Sequence, residues 1–442
     1  MASILIKNGI IATLGEQNQV LHNTSLLIRD GRIETIAPAA ELATCAADEV
    51  IDASGQLVMP GFINAHTHFY SAFARGLGKY PPSRNFVEVL ENLWWRLDRQ
   101  LTVEDCYMSA LVSCLDAVKH GTTTLIDHHA SETHVRGTLV EIERAVLESG
   151  LRASLCFELT DREGPETAAA GIEENVEFIR RTQSAPSHRI KALFGLHASF
   201  TLDDDTLERA VDAGRSLNTG FHIHTAEDQA DQDHCLQHHG IRVVERLNKM
   251  GVLGPQSICA HCLHVDEREI ELLKETDTIV VHLAQSNLNN AVGIADVIKL
   301  TEAGILVGIG TDSMSNDMIE EARVALWCQK IKRRNPSVGF LEILNALAVN
   351  NARIAARFWG AQVGELKKGF RADVILLDYA SPTPLDEQSF LGHLGYGIGH
   401  SSVRTTIADG KVLMRDHQLL GIDEERVAAR ARELSTALWE RF

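Results

Sequence analysis

Short apolar runs and longer stretches of helical periodicity alternate through most of the chain. The runs are LVMPGFINAH, TTTLIDHH, RASLCFEL, IKALFGLH, GFHIH, SICAH, TIVVH and LVGIGTD, rich in residues that suit strands. Between them, segments such as DDTLERAVDAGRSL and DEREIELLKETD carry a helical period and open on acidic residues, as helix N-termini do. Strand then helix, eight times over, predicts an α/β fold of the (β/α)8 TIM-barrel type over residues 59–364. A doubly wound sheet shares the alternation, but no glycine-rich phosphate loop follows the first strand.

The two ends read differently. Residues 1–58 hold SILIKNGIIATLG and SLLIRDGRIETIAP, and residues 365–420 hold ADVILLDYA and VRTTIADGKVLMRD. IRDGRI and IADGKV are variants of one pattern, with Asp30-Gly31 and Asp409-Gly410 as tight hairpin turns. Both ends are therefore expected to build one small β-sandwich domain from discontinuous segments. Residues 421–442 read as a final amphipathic helix with Asp423 as its N-cap.

Every apolar run finishes on or beside a residue able to bind metal or move protons: His66 and His68, Asp127 and His128, Glu158, His197, His224, His261, His282 and Asp312. In a barrel of this type the strand C-termini converge on the catalytic face. One terminal histidine is usually a satisfied polar residue, but packing does not explain eight polar ends at one mouth. His66 and His68 stand at i and i+2, on one face of a strand. FHIHTAED offers a further ligand, His222 or His224, which spacing leaves open. Glu227 follows His224 by three residues, where it can serve as an acid or base, and Asp312 can be ligand, base or both.

Composition is that of an ordinary globular chain: 442 residues, 45% hydrophobic and 23% charged. The formal net charge of −18 argues against nucleic acid or an anionic membrane as partner, since both need a basic face. No apolar run is long enough for a membrane span, and MASILIKNGI lacks the features of a signal peptide. The eight scattered cysteines fit reduced thiols and a cytoplasmic location. Cys259 and Cys262 form a C-x-x-C with no second ligand pair, and read as buried small residues.

PGFINAHTHF, HIHTAED, AHCLHVD, VHLAQSNLNNAVG and GIGTDSMSND resemble, in order, the amidohydrolase superfamily in its nucleobase and aromatic-heterocycle deaminase branch. LENLWWRLDRQL, LIDHHAS and CFELTDREG resemble one aminohydrolase subgroup of that branch more closely still. The resemblance implies His66, His68, His224 and Asp312 as metal ligands and Glu227 as the proton-shuttling carboxylate. It implies that Asp312 also takes a proton from the nucleophilic water, and that His261 polarises the attacked C=N or the water. His197 and His282 align with strand-four and strand-seven histidines and are taken as facing substrate. Binuclear relatives carry a carboxylated lysine near the end of strand four, where this chain has GLHASF, with Lys191 only at the strand start. One divalent ion per subunit is therefore expected, zinc first and iron second. The implied substrate is a small aminated heterocycle, purine-like, pyrimidine-like or triazine-like, and the implied assembly a homodimer or larger homo-oligomer.

Other residues carry weaker expectations. His128 and His129 are adjacent, so at most one points inward, in a supporting role. Glu158 contacts substrate or caps a loop. Of Trp94 and Trp95, one is expected in the core and the other over the site, while Arg75 and Glu132 lie near the mouth. Ser286 and Asn287 read as helix-capping or turn residues. Two rival functions remain in view: a cyclic-amide hydrolase that opens a ring, and a relative that binds ligand without turnover. The missing strand-four lysine counts against the first, and the Glu227–Asp312 pair against the second.

Overall fold

A computed structural model describes residues 3–400 and 403–442. Eight parallel strands form the barrel: β1 Phe62–Thr67, β2 Thr122–Asp127, β3 Arg152–Leu155, β4 in two halves Ile190–Ala192 and Phe194–Ala198, β5 Phe221–Thr225, β6 Ile258–His261, β7 Ile279–His282 and β8 Val307–Ile309. Helices follow the strands as the periodicity predicts, among them Asp204–Ser216 and Glu267–Glu275. The barrel closes where β8 meets β1, through a parallel bridge between Thr67 and Asp312. Gly310 is required at this seam: a Cβ there would come within 2.6 Å of the backbone N and O of His66. Ala65, Ile126, Cys156, Leu193, Ile258, Ala260, Ile279 and Val281 pack together across the barrel interior.

The first apolar run is cut in two. Leu57–Pro60 pairs with Ser3–Ala12 and with Val374–Leu377, and only after Gly61 does the chain enter the barrel as β1. Pro60 has no amide proton for a continuing ladder, and a Cβ on Gly61 would lie 2.4 Å from the Thr123 hydroxyl. The crossing thus falls slightly later than hydropathy alone places it.

The small domain joins both chain ends, hydrogen-bonded as a nine-stranded sheet that encloses its own apolar cluster of Ile4, Ile6, Leu26, Ile28, Val374 and Ile407. Its two Asp-Gly turns are hairpin turns with both residues at positive φ, 52° and 73° for Asp30-Gly31, 51° and 74° for Asp409-Gly410. They pack back to back, so that a Cβ on Gly410 would meet the Gly31 Cα at 2.6 Å. Arg152 at the foot of β3 forms a buried ion pair with Asp373, which also accepts from the Asp409 amide at 2.7 Å. The final helix is Glu424–Arg441, and Asp423 caps it by accepting from the Arg426 amide at 3.0 Å.

Candidate metal centre and active site

The histidines at the strand ends have their tautomers set by what their Nδ1 atoms touch. His68 Nδ1 donates to the His128 carbonyl at 2.6 Å, and His224 Nδ1 to the His197 carbonyl at 2.9 Å. His261 Nδ1 donates to Asn287 Oδ1 at 2.8 Å, and His66 Nδ1 shares a 2.7 Å hydrogen bond with His222 Nε2. All four Nε2 atoms then turn toward Asp312 or one another. His68 Nε2 lies 3.2 Å from His224 Nε2 and 3.0 Å from Asp312 Oδ1; His66 Nε2 lies 3.8 Å from that oxygen. His261 Nε2 lies 3.3 Å from Glu227 Oε2 and 3.7 Å from Asp312 Oδ2. The Nε2 atoms of His66 and His261 are buried and have no hydrogen-bond partner.

Neutral imidazoles with convergent lone pairs beside a carboxylate suit a cation. Burial holds His66 down to about 3, and burial with the His68 charge keeps His224 well below the histidine range. At His68 burial also opposes charge, but Asp312 and Glu158 outweigh it and lift the group well above its ordinary value. Burial would likewise raise Asp312, yet hydrogen bonds with His66 and His68 hold it well below the usual range. Positive charge is thus drawn to one point, and the set of three imidazoles and one carboxylate fits a divalent ion of the zinc type. Glu227 behaves oppositely: burial and the Asp312 charge push its pKa well up, which favours its protonated form.

The strand ends hold this arrangement under backbone strain. Ala226, His261, Cys262 and Asp312 adopt φ of 47°, 73°, 47° and 56°, a left-handed conformation costing of order 1–3 kcal/mol per non-glycine residue. Such strain gathers at sites whose geometry outranks local comfort.

The structure brings together His66, His68, His224, Asp312, Glu227 and His261 from the ends of β1, β5, β6 and β8. It turns His222 to the far side of His66, stacked on His128 at 4.4 Å, so His224 alone of the pair faces the centre. His197 and Glu158 line the pocket, as do both Trp94 and Trp95; neither tryptophan is consumed by the core. Their helical stretch, Phe86 to Gln100, contains a π turn at Leu90–Trp94, next to the two pocket-lining rings. His282 does not line the pocket; it is buried beyond it, and neither ring nitrogen has a partner. Arg75 also lies outside, paired with Asp116 at 3.2 Å on the surface. Cys259 and Cys262 belong to no ligand cluster among the described residues.

Sequence reasoning missed the role of Asn287. It sits inside the helix Ala284–Asn289, buried, and holds His261 rather than capping. The hint was its place in HLAQSN directly after β7. Tyr70, Phe86, Leu90, Phe200, Asp98 and Asn290 were missed as pocket residues. Asn290 Nδ2 donates to Glu227 Oε1 at 3.3 Å.

Fold and site together define a metal-dependent hydrolase barrel. Residues 57–413 match the model of the amidohydrolase family, and the chain belongs to that family. It is 34% identical to the 5'-deoxyadenosine deaminase of Methanosarcina mazei, with 99% of each chain covered. It is 32% identical to the 5-methylthioadenosine/S-adenosylhomocysteine deaminase of Desulforamulus reducens, again over 99% of each. Among solved structures, an adenosine deaminase from Xanthomonas campestris with bound zinc superposes with a TM-score of 0.87 at 22% identity, covering 99% of this chain and 98% of that one.

Proposed function

We propose that the chain is a metal-dependent aminohydrolase that replaces the amino group of an aminated, purine-like ring by water and releases ammonia. The observation that carries this reading is Glu227 and Asp312 at 3.3 and 3.7 Å from the same His261 Nε2, beside the three convergent imidazoles of His66, His68 and His224. The deaminase names of relatives aligned over the whole length support it. The segments LENLWWRLDRQL and CFELTDREG further resemble the SsnA type of aminohydrolase.

His66, His68, His224 and Asp312 would hold one divalent ion, zinc by the donor set, with iron as the second choice. When bound, such an ion acidifies water and polarises the attacked carbon–nitrogen bond. Asp312 Oδ2 takes the proton of the attacking water as its oxygen bonds to the ring carbon. Glu227, protonated at rest, gives its proton to the ring nitrogen. Glu227 then takes the hydroxyl proton of the adduct and passes it to the amino group, so that ammonia leaves as the carbon–nitrogen bond breaks and the carbonyl forms. The proton held by Asp312 returns to Glu227 through solvent and restores both groups. His261, fixed by Asn287, supports the charge that develops on the attacked centre.

All eight cysteines are free and seven are buried, which supports the reading of a cytoplasmic protein. No described helix is long and apolar enough to cross a membrane. Trp327, Ile331, Leu341 and Tyr396 are exposed apolar side chains near one another in the fold and support a homo-oligomer. The test is ammonia release from aminated purine nucleosides by protein reconstituted with one equivalent of zinc. Turnover that is abolished in Glu227→Gln supports the reading, and turnover that survives in that variant contradicts it.

A further inference from the structure

The pocket above the metal ligands is walled by Tyr70, Phe86, Leu90, Trp94, Trp95 and Phe200, and its lining contains neither lysine nor arginine. Besides Glu227 and Asp312, three carboxylates line it: Asp98, Glu158 and Asp231. Asp231 is satisfied, accepting from the Ala226 and Phe200 amides at 2.9 and 3.2 Å. Asp98 and Glu158 are not. Both are 2% exposed. Asp98 Oδ1 and Glu158 Oε1 have no hydrogen-bond partner; Glu158 Oε1 lies 3.0 Å from His68 Nδ1, whose proton is already committed to the His128 carbonyl.

The guanidinium bonded into this corner does not neutralise it. Arg162 Nη2 donates to Asp98 Oδ2 at 2.9 Å and lies 3.5 Å from Glu132 Oε1, while its carbon sits 4.8 Å over the Trp95 ring. Arg162 thus faces Asp98, Glu132 and Glu158 together, and Arg99, whose charge also acts on Asp98, is paired with Glu163. Glu132 Oε1, Arg162 Nη1 and Trp95 Nε1 also lack partners. A buried polar group without a partner is costly, so several at one pocket wall mark a subsite completed by something that enters it.

We infer that Asp98 and Glu158 form a subsite for the substituent of the ring, one that takes hydrogen-bond donors on a neutral or cationic group and rejects phosphate and carboxylate. This inference rests on the aminohydrolase reading only for the identity of the ring. An anionic substituent would enter a low-dielectric corner beside two carboxylates that each keep an unpartnered oxygen, while the nearby Arg162 is shared among three carboxylates and does not line the pocket, so like-charge repulsion is weakly screened. Hydroxyl or ammonium groups find acceptors there instead. Discrimination of this kind arises from repulsion of the wrong ligand as much as from attraction of the right one.

The experiment uses zinc-loaded full-length protein and three ligands that share one aminated purine nucleoside and differ only in a 5′-hydroxyl, 5′-amine or 5′-phosphate. Binding is read by thermal shift and by competition, and ammonia release is read separately. The hydroxyl and amine forms are expected to bind about 100-fold more tightly than the phosphate, a ratio equal to about 2.7 kcal/mol. In Asp98→Asn the ratio should narrow by about tenfold. Equal or tighter binding of the phosphate, or failure of all three to bind, overturns the inference. If the binding order holds but no ligand releases ammonia, the subsite stands and the aminohydrolase reading falls.

Discussion

The Nε2 atoms of His68 and His224 face each other across 3.2 Å, while the Nδ1 of each ring is committed to a backbone carbonyl. Two lone pairs at that distance repel unless a proton or a metal ion lies between or beside them, and Asp312 Oδ1, 3.0 Å from His68 Nε2, draws that positive charge to the same point. Removing divalent metal with chelator should therefore lower Tm, and zinc should restore it. At free zinc 100 times Kd the linkage gain is about 2.7 kcal/mol. His224→Ala should abolish the zinc-dependent part of Tm; calorimetric scans with and without zinc check this.

Asn287 acts on the reaction through His261. Replacing it by alanine removes the acceptor that fixes the His261 tautomer. Asn287→Ala should lower kcat/KM by of order 10–100-fold while zinc content stays unchanged. Metal analysis beside steady-state kinetics separates this from loss of the site.

Glu321 supplies a pH signature away from the metal. Its Oε1 accepts from the Ala284 amide at 2.5 Å, its Oε2 has no partner, and burial pushes its pKa up to about 8. A carboxyl raised in the fold stabilises most below its unfolded value near 4.5, and that contribution is lost as pH climbs through about 8. One proton contributes a slope of at most about 1.4 kcal/mol per pH unit across that window. Glu321→Gln retains the acceptor and cannot ionise, so its unfolding free energy should fall less from pH 5 to pH 8 than that of the parent. Denaturant titrations at several pH values measure the difference.

Arg152 and Asp373 tie the barrel to the small domain through a buried ion pair. Asp373→Ala strands a guanidinium and should cost about 3–5 kcal/mol. An Arg152→Met, Asp373→Leu double variant removes both charges and should cost less than the single one. Denaturant midpoints decide the order.

What the sequence made legible follows from periodicity. His66 and His68 could be paired because a strand repeats every two residues, and the barrel because strand and helix alternate. The Asp-Gly turns were legible because their backbone demands those residues. Asp98 and Arg162 meet from 64 positions apart, and His261 and Asn287 from 26, so no local pattern announces either contact. The choice between His222 and His224 needed side-chain direction at the top of β5, which spacing on one strand face does not contain. The break at Gly61 was hidden because hydrophobicity runs unbroken from one sheet into the next.

The most direct test of the central claim is the mass of the product formed from an aminated purine nucleoside by the zinc-loaded protein. The account predicts that a hydroxyl or its keto tautomer replaces the amino group, with one ammonia released per substrate consumed. A product that has gained a whole water and kept its nitrogen would contradict it and make the protein a ring-opening hydrolase.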